Sequence, residues 1–171
     1  MNPNISIQRT LRHEDSKLAG IVTKDTGGVT RWGIAQNSNP GVDIVNLTLD
    51  DACKIYKKKY WDVLKIDGIN CQTLADSIYD WGVNAGPVTA LKYFFKCLNT
   101  LLIGNTNNKI NFTSFGPIVN DAINSLNTIQ LKQLQNDYVQ ERINFYTRLA
   151  RRDKYKMYLK GWTRRAKSYQ V

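Results

Sequence analysis

At 171 residues, with 42% hydrophobic and 22% charged side chains, the chain can bury a sizeable core and is too apolar for wholesale disorder. No run approaches the roughly 18 consecutive apolar residues of a membrane helix, so no stable membrane insertion is expected. The net charge of +10 is lopsided, with eleven Lys and Arg against three acidic residues from Thr128 to Val171. Such a field attracts polyanions of any kind, although a solvated basic face without a dedicated partner is the plain alternative.

Cys53, Cys71 and Cys97 are odd in number and widely spaced, which argues against a disulfide framework and for reduced, mostly buried thiols. The first ten residues hold neither a basic cluster nor an apolar run, so no secretory signal is expected.

Ile7, Leu11 and Glu14 fall near helical spacing, and the segment from Lys17 to Gly41 mixes glycines with β-branched residues. A short helix followed by a hairpin or small irregular sheet is predicted there. Thr48 is a good N-cap for a helix carrying Ala52, Ile55, Tyr56 and Tyr60 on one face. A second helix starts near Thr73, with Leu74, Ile78 and Trp81 inward, and ends between Gly82 and Pro87. A third aligns Leu91, Phe94, Phe95, Leu98 and Leu102 and reads as the central core helix. The Asn-rich stretch from Gly104 to Gly116 reads as a loop, dividing residues 1–103 from a helical, basic segment, residues 104–171. In the latter, Leu131, Leu134, Tyr138, Arg142, Phe145 and Leu149 recur at three- and four-residue steps.

The chain holds two glutamates, Glu14 and Glu141. The first stands where a helix gives way to a turn-rich stretch containing Asp25 and Thr30. A glutamate facing a hairpin with Asp and Thr is an arrangement that can cut a glycosidic bond. One carboxylic acid protonates the leaving oxygen, and a second group stabilises the cation or orients water. Gly28 would let backbone approach a sugar, and Trp32 offers a flat face. Plainer readings stand beside these. A helix-end glutamate is usually solvated, Asp25 before two glycines is a common turn former, and Thr30 and Trp32 are ordinary packing residues.

Other chemistries lack essential groups. His13 is the sole histidine, too few for a zinc hydrolase and out of order for a Cys–His peptidase. There is no G-x-S-x-G nucleophile turn and no phosphate-binding glycine loop. No metal and no cofactor are expected.

Several motifs in order are similar to glycoside hydrolase family 108, the bacterial and phage N-acetylmuramidases. They are Glu14-Asp15-Ser16, then Asp25-Thr26-Gly27-Gly28-Val29-Thr30-Arg31-Trp32-Gly33-Ile34, Tyr56 to Asp62, and Asp80-Trp81-Gly82-Val83-Asn84-Ala85-Gly86-Pro87. Phe115-Gly116-Pro117 through Tyr146, closing with Gly161 to Arg165, resembles the family's peptidoglycan-binding C-terminal region. The chain departs from the pattern at Asp15, Ser16 and Thr26, where the family has two glycines and a proline. These departures bear on substrate preference more than on the reaction.

The resemblance implies a mainly α, lysozyme-like fold with a small hairpin beside the catalytic helix. It also implies hydrolysis of the β-1,4 bond between N-acetylmuramic acid and N-acetylglucosamine. Glu14 takes the position of the catalytic glutamate, with Asp25 and Thr30 as further active-site residues and Asn84 and Gly86 as substrate contacts beside Gly28 and Trp32. The expected partner is the peptidoglycan glycan strand, with no nucleic acid, and the expected state is a monomer. Such a protein is made in the bacterial cytoplasm and reaches the periplasm or wall by a holin-type or other non-Sec route, for lysis or for toxin export. A lytic transglycosylase acting on the same bond and a non-catalytic basic binding module are the rival readings.

Overall fold

The structure, a computed structural model, describes residues 2–14, 19–25, 28–103 and 112–171, with backbone only at positions 25 and 103. It is mainly α with one small antiparallel sheet, as the lysozyme-like expectation required. The described residues divide into two units, Asn2–Val63 and Leu64–Val171.

In the first unit α1 (Pro3–Glu14) turns Ile7 and Leu11 inward, together with the small polar Ser6 and Thr10. Three strands follow, β1 (Thr23–Asp25), β2 (Gly28–Arg31) and β3 (Ile34–Ala35), in the order β1-β2-β3. Thr23 faces Thr30 and Asp25 faces Gly28 across the first pair, and Arg31 faces Ile34 across the second. That register leaves Trp32 and Gly33 as a two-residue turn, with φ of 55° and 73°. Both positive values are what a tight hairpin turn matching the twist of its strands demands.

A tryptophan in the left-handed region is strained, and three contacts hold it there. Its indole Nε1–H donates to the Leu47 carbonyl at 3.1 Å. The Tyr56 hydroxyl donates to its backbone carbonyl, also at 3.1 Å. Its ring fills the space a side chain at Gly20 would occupy, since a Cβ there would lie 2.4 Å from the ring. Arg31 fastens the same region by donating to the carbonyls of Gly20 at 2.8 Å and Val45 at 2.5 Å.

Helix α2 (Leu49–Tyr56) starts at Thr48, whose hydroxyl oxygen accepts from the Asp51 N–H at 3.2 Å, as its sequence predicted. The helix then widens into a π-turn, Lys57–Trp61, before the short α3 (Asp62–Leu64). Ala52 and Tyr56 are buried, while Ile55 and Tyr60 are only half-buried. The extra residue of a π-turn rotates the residues beyond it, which is why the single face read from the sequence does not run unbroken to Tyr60. Helix α1 packs against both α2 and the π-turn.

In the second unit α4 (Gln72–Ala85) is buried without interruption from Leu74 to Gly82. It, rather than α5 (Pro87–Ile103), is the central helix. Phe94, Phe95 and Leu98 of α5 are buried as expected, but Leu91 and Leu102 are half-exposed. A helix apolar on one face alone flanks a core; one enclosed on every side occupies it. Helix α6 (Pro117–Asn124) closes the turn at 68–70, where Asn124 donates to the Gly68 carbonyl at 2.9 Å and accepts from the Asn70 N–H at 2.8 Å.

Helix α7 (Thr128–Leu149), opened by an Asn127–Gln130 capping box, packs against α4, α5 and α9 (Leu159–Lys167). The short α8 (Asp153–Lys156) lies between the last two. The buried stripe of α7 runs through Leu134, Tyr138, Arg142 and Tyr146. Phe145 and Leu149, expected on that face, are half-buried beside it. Helices α5 and α7 thus pack within one unit; residues 104–111 of the expected loop lie outside those described.

Arg142 and Asp80, both fully buried, pair at 2.7 Å, and Arg165 grips the second Asp80 oxygen at 2.9 Å. Burial works against the Asp80 anion, yet the two guanidinium groups outweigh it and hold the carboxyl well below the carboxylate range. The three cysteines are free, with Cys97 buried and Cys53 and Cys71 half-buried. Burial, aided by Glu141 and Asp137, pushes the Cys97 thiol up to about 12, which keeps it protonated and unreactive. Among the described residues no helix is long and apolar enough to cross a membrane.

Replacing Asp80 by Asn strands two arginines beside a neutral amide and is expected to cost about 3–5 kcal/mol, read by urea denaturation at neutral pH. Because the folded Asp80 titrates below its ordinary 3.8, its stabilisation is complete above that value and fades as pH falls beneath it. The urea midpoint of the parent should therefore drop below pH 3.8 more steeply than that of Asp80→Asn.

Candidate active site

Glu14 closes α1 and is exposed rather than buried against the core. Its surroundings are nevertheless specific. A Cβ built on Gly33 would lie 3.3 Å from Glu14 Cγ, 3.4 Å from its Cβ and 2.7 Å from the Tyr56 hydroxyl. Only a residue without a side chain lets the end of α1, the β2–β3 turn and Tyr56 meet. The positive φ makes the same demand independently.

Gly33, Tyr56 and Tyr60 line a cavity of about 140 Å³, together with Ala35, Asn39 and Lys59. The Tyr56 and Tyr60 rings lie 5.7 Å apart. Burial, and then the negative charge of Glu14, push the Tyr60 phenol above its ordinary value, so the phenol within reach of that charge stays protonated. The arrangement offers a solvent-accessible carboxyl beside a small aromatic-walled recess. That suits proton transfer to a sugar seated against it.

The other expected residues sort by what surrounds them. Thr30 sits half-buried in the middle of β2, paired with Thr23 and Ala35. Gly28 has φ of 89°, and a Cβ on it would come within 3.2 Å of the Asn37 side-chain oxygen. That positive φ is what favours glycine there. The side chain of Asp25 lies outside the description, as do Asp15, Ser16, Thr26 and Gly27.

Trp32 takes the packing role, the plainer of its two sequence readings. It is 7% exposed, with its indole enclosed by the Gly20 and Leu47 segments, so it has no open face for a sugar and serves to hold the turn. Asn84 and Gly86 belong to the second unit. The Asn84 side-chain oxygen Oδ1 accepts a short hydrogen bond from the Tyr146 hydroxyl, which in turn accepts from Arg142 Nε at 3.0 Å. Gly86 ends α4 with φ of 89° and has nothing within 4 Å of its Cβ position.

Gly33, Tyr56, Tyr60, Lys59 and Asn39 were not singled out as site residues by sequence. The signal present was two tyrosines four apart, enclosing three lysines.

Two of the eleven C-terminal cations, Arg142 and Arg165, are engaged by Asp80. Of the seven aromatics in the same stretch, Tyr138, Tyr146 and Tyr169 are buried, and Phe145 packs on Trp81 at 5.9 Å. Among the described residues no three His, Cys, Asp or Glu side chains gather as a metal site.

Residues 7–86 match the family model for glycosyl hydrolase 108. The matched segment includes Glu14, Gly33, Tyr56, Tyr60 and Asn84, and the match supports a glycoside hydrolase. It stops short of the C-terminal region expected to bind peptidoglycan. The structure of Brucella abortus SagA is similar with a TM-score of 0.66 at 19% identity, over 97% of this chain and 92% of that one. At that identity the likeness establishes a shared fold. No curated protein matches the chain.

Gly33→Ala must force a left-handed alanine against a hydroxyl 2.7 Å away. A loss of about 1–3 kcal/mol is expected. Thermal denaturation should register it, and any wall-degrading activity should fall further than the stability loss explains, because the end of α1 is displaced.

Proposed function

We propose that this protein is a peptidoglycan hydrolase of the N-acetylmuramidase type, with Glu14 as the general acid that protonates the oxygen between N-acetylmuramic acid and N-acetylglucosamine. The observation that carries the reading is the packing of Glu14 against Gly33 beside the Tyr56–Tyr60 recess, within the segment matched to a glycoside hydrolase model. Protonation lets the bond break with oxocarbenium character. Asp25, whose backbone faces Gly28 across the strand pair, supplies the second carboxylate, and Thr30 the hydroxyl that holds water. The site acts in the periplasm or wall, where its polymer lies, in lysis or in export. The basic C-terminal region holds the carboxylate-rich wall by charge.

Glu14→Gln should melt at the parent temperature while clearance of purified peptidoglycan falls by a factor of about 10² or more. A folded variant that still clears the wall contradicts the assignment. Mass spectrometry of the parent digest should show reducing-end muramic acid. A 1,6-anhydro product would instead establish a transglycosylase.

A further inference from the structure

Lys59 lines the recess beside Glu14, and its ammonium is fixed in an unusual way. Its Nζ donates to the Ser38 carbonyl at 3.0 Å and to the Asn39 amide oxygen at 2.6 Å. Asn39 is 8% exposed and is itself held by donating to the Ala35 carbonyl at 2.8 Å. Gln36 closes the loop by donating to the carbonyls of Asn39 at 3.2 Å and Val42 at 3.0 Å. Both acceptors on Lys59 are neutral, and among the described residues no carboxylate pairs with it. Neighbouring lysines differ. Lys57, on the same π-turn, is neutralised by Asp62 at 2.5 Å, and Lys54 by Asp50 at 2.6 Å. An ammonium has three donors. Here two are used to fix its position, leaving one donor and the whole charge at the rim of a recess walled by Gly33, Tyr56 and Tyr60.

We infer that Lys59 is a specificity residue that receives a carboxylate carried by the glycan, so that the site selects acidic muramyl strands over neutral chitin-type strands. The inference rests on the muramidase reading and deepens it. Two carboxylates fit this chemistry: the lactyl group of N-acetylmuramic acid where no peptide is attached, and a carboxylate of the stem peptide where one is. A lysine recruited only to tie the π-turn to residues 38–39 would need no such open side. A lysine meant only for solubility would not be clamped by a buried asparagine.

The test is binding by calorimetry to protein carrying Glu14→Gln, with and without Lys59→Met or Lys59→Arg. Three probes are compared: chitotetraose, a peptide-free muramyl tetrasaccharide, and the same tetrasaccharide bearing stem peptides. Lys59→Met should weaken a carboxylated probe about tenfold, the scale of one charge-assisted hydrogen bond, and leave chitotetraose unchanged, while Lys59→Arg keeps most of the affinity. Loss confined to the peptide-free oligomer assigns the lactyl carboxylate; loss confined to the peptide-bearing one assigns the stem. Equal weakening of all three probes, with a lowered melting temperature, would show a structural tie and overturn the inference, as would no change in any. If the Glu14→Gln parent binds none of the oligomers, the muramidase reading falls with it. A parent that binds all three while Lys59→Met changes nothing removes the specificity claim alone.

Discussion

The Trp32–Gly33 turn is the constraint on which the first unit depends. Two consecutive left-handed residues reverse the chain between β2 and β3, and each is secured by a different device. Trp32 is held by its buried ring, its bond to Leu47 and the bond Tyr56 makes to its carbonyl. Gly33 is held by lacking a side chain where Tyr56 and Glu14 converge. The same tyrosine hydroxyl therefore fixes the turn and forms the wall beside the glutamate. Local strain placed next to a reactive group is a common design, because rigid surroundings spare the site from organising itself during reaction.

The second unit is organised around a buried charge cluster. Asp80 is enclosed with Arg142 and Arg165, and their charges offset a desolvation that would otherwise expel the carboxylate. From this cluster a line of hydrogen bonds runs through Tyr146 to Asn84. Trp81 stacks on Tyr93 at 5.2 Å, and Tyr146 stacks on Trp162 at 5.1 Å. The cluster joins α4, α7 and α9, three helices far apart in sequence, through one carboxyl group.

Much of this was legible in the residues, for physical reasons. Thr48, the inward face of Leu74, Ile78 and Trp81, and the β-branched and glycine-rich stretch after α1 carry local signals, and local structure followed them. The motif around Thr30 to Ile34 showed a hairpin, and Trp32 read there as a packing residue without the partners it packs on. Its role depends on Gly20 and Leu47, partners that no spacing rule connects to it. Arg142 stood out as a cation in an apolar stripe, yet its partner lies 62 residues away. The rank of α4 over α5 was hidden because enclosure depends on neighbours, and α5 has the more apolar sequence. Lys59 was invisible for a similar reason: three consecutive lysines read alike until one of them is found clamped by neutral acceptors.

The central claim is that the side chain at position 14 meets the bridging oxygen of a muramyl glycan. A crystal structure of Glu14→Gln with a bound muramyl–glucosaminyl oligosaccharide tests it most directly. The glycosidic oxygen is expected within about 2.6–3.2 Å of the substituted side chain, with a sugar seated against Gly33 and the two tyrosines. An oligosaccharide bound productively elsewhere, with no glycosidic oxygen near α1, would contradict it.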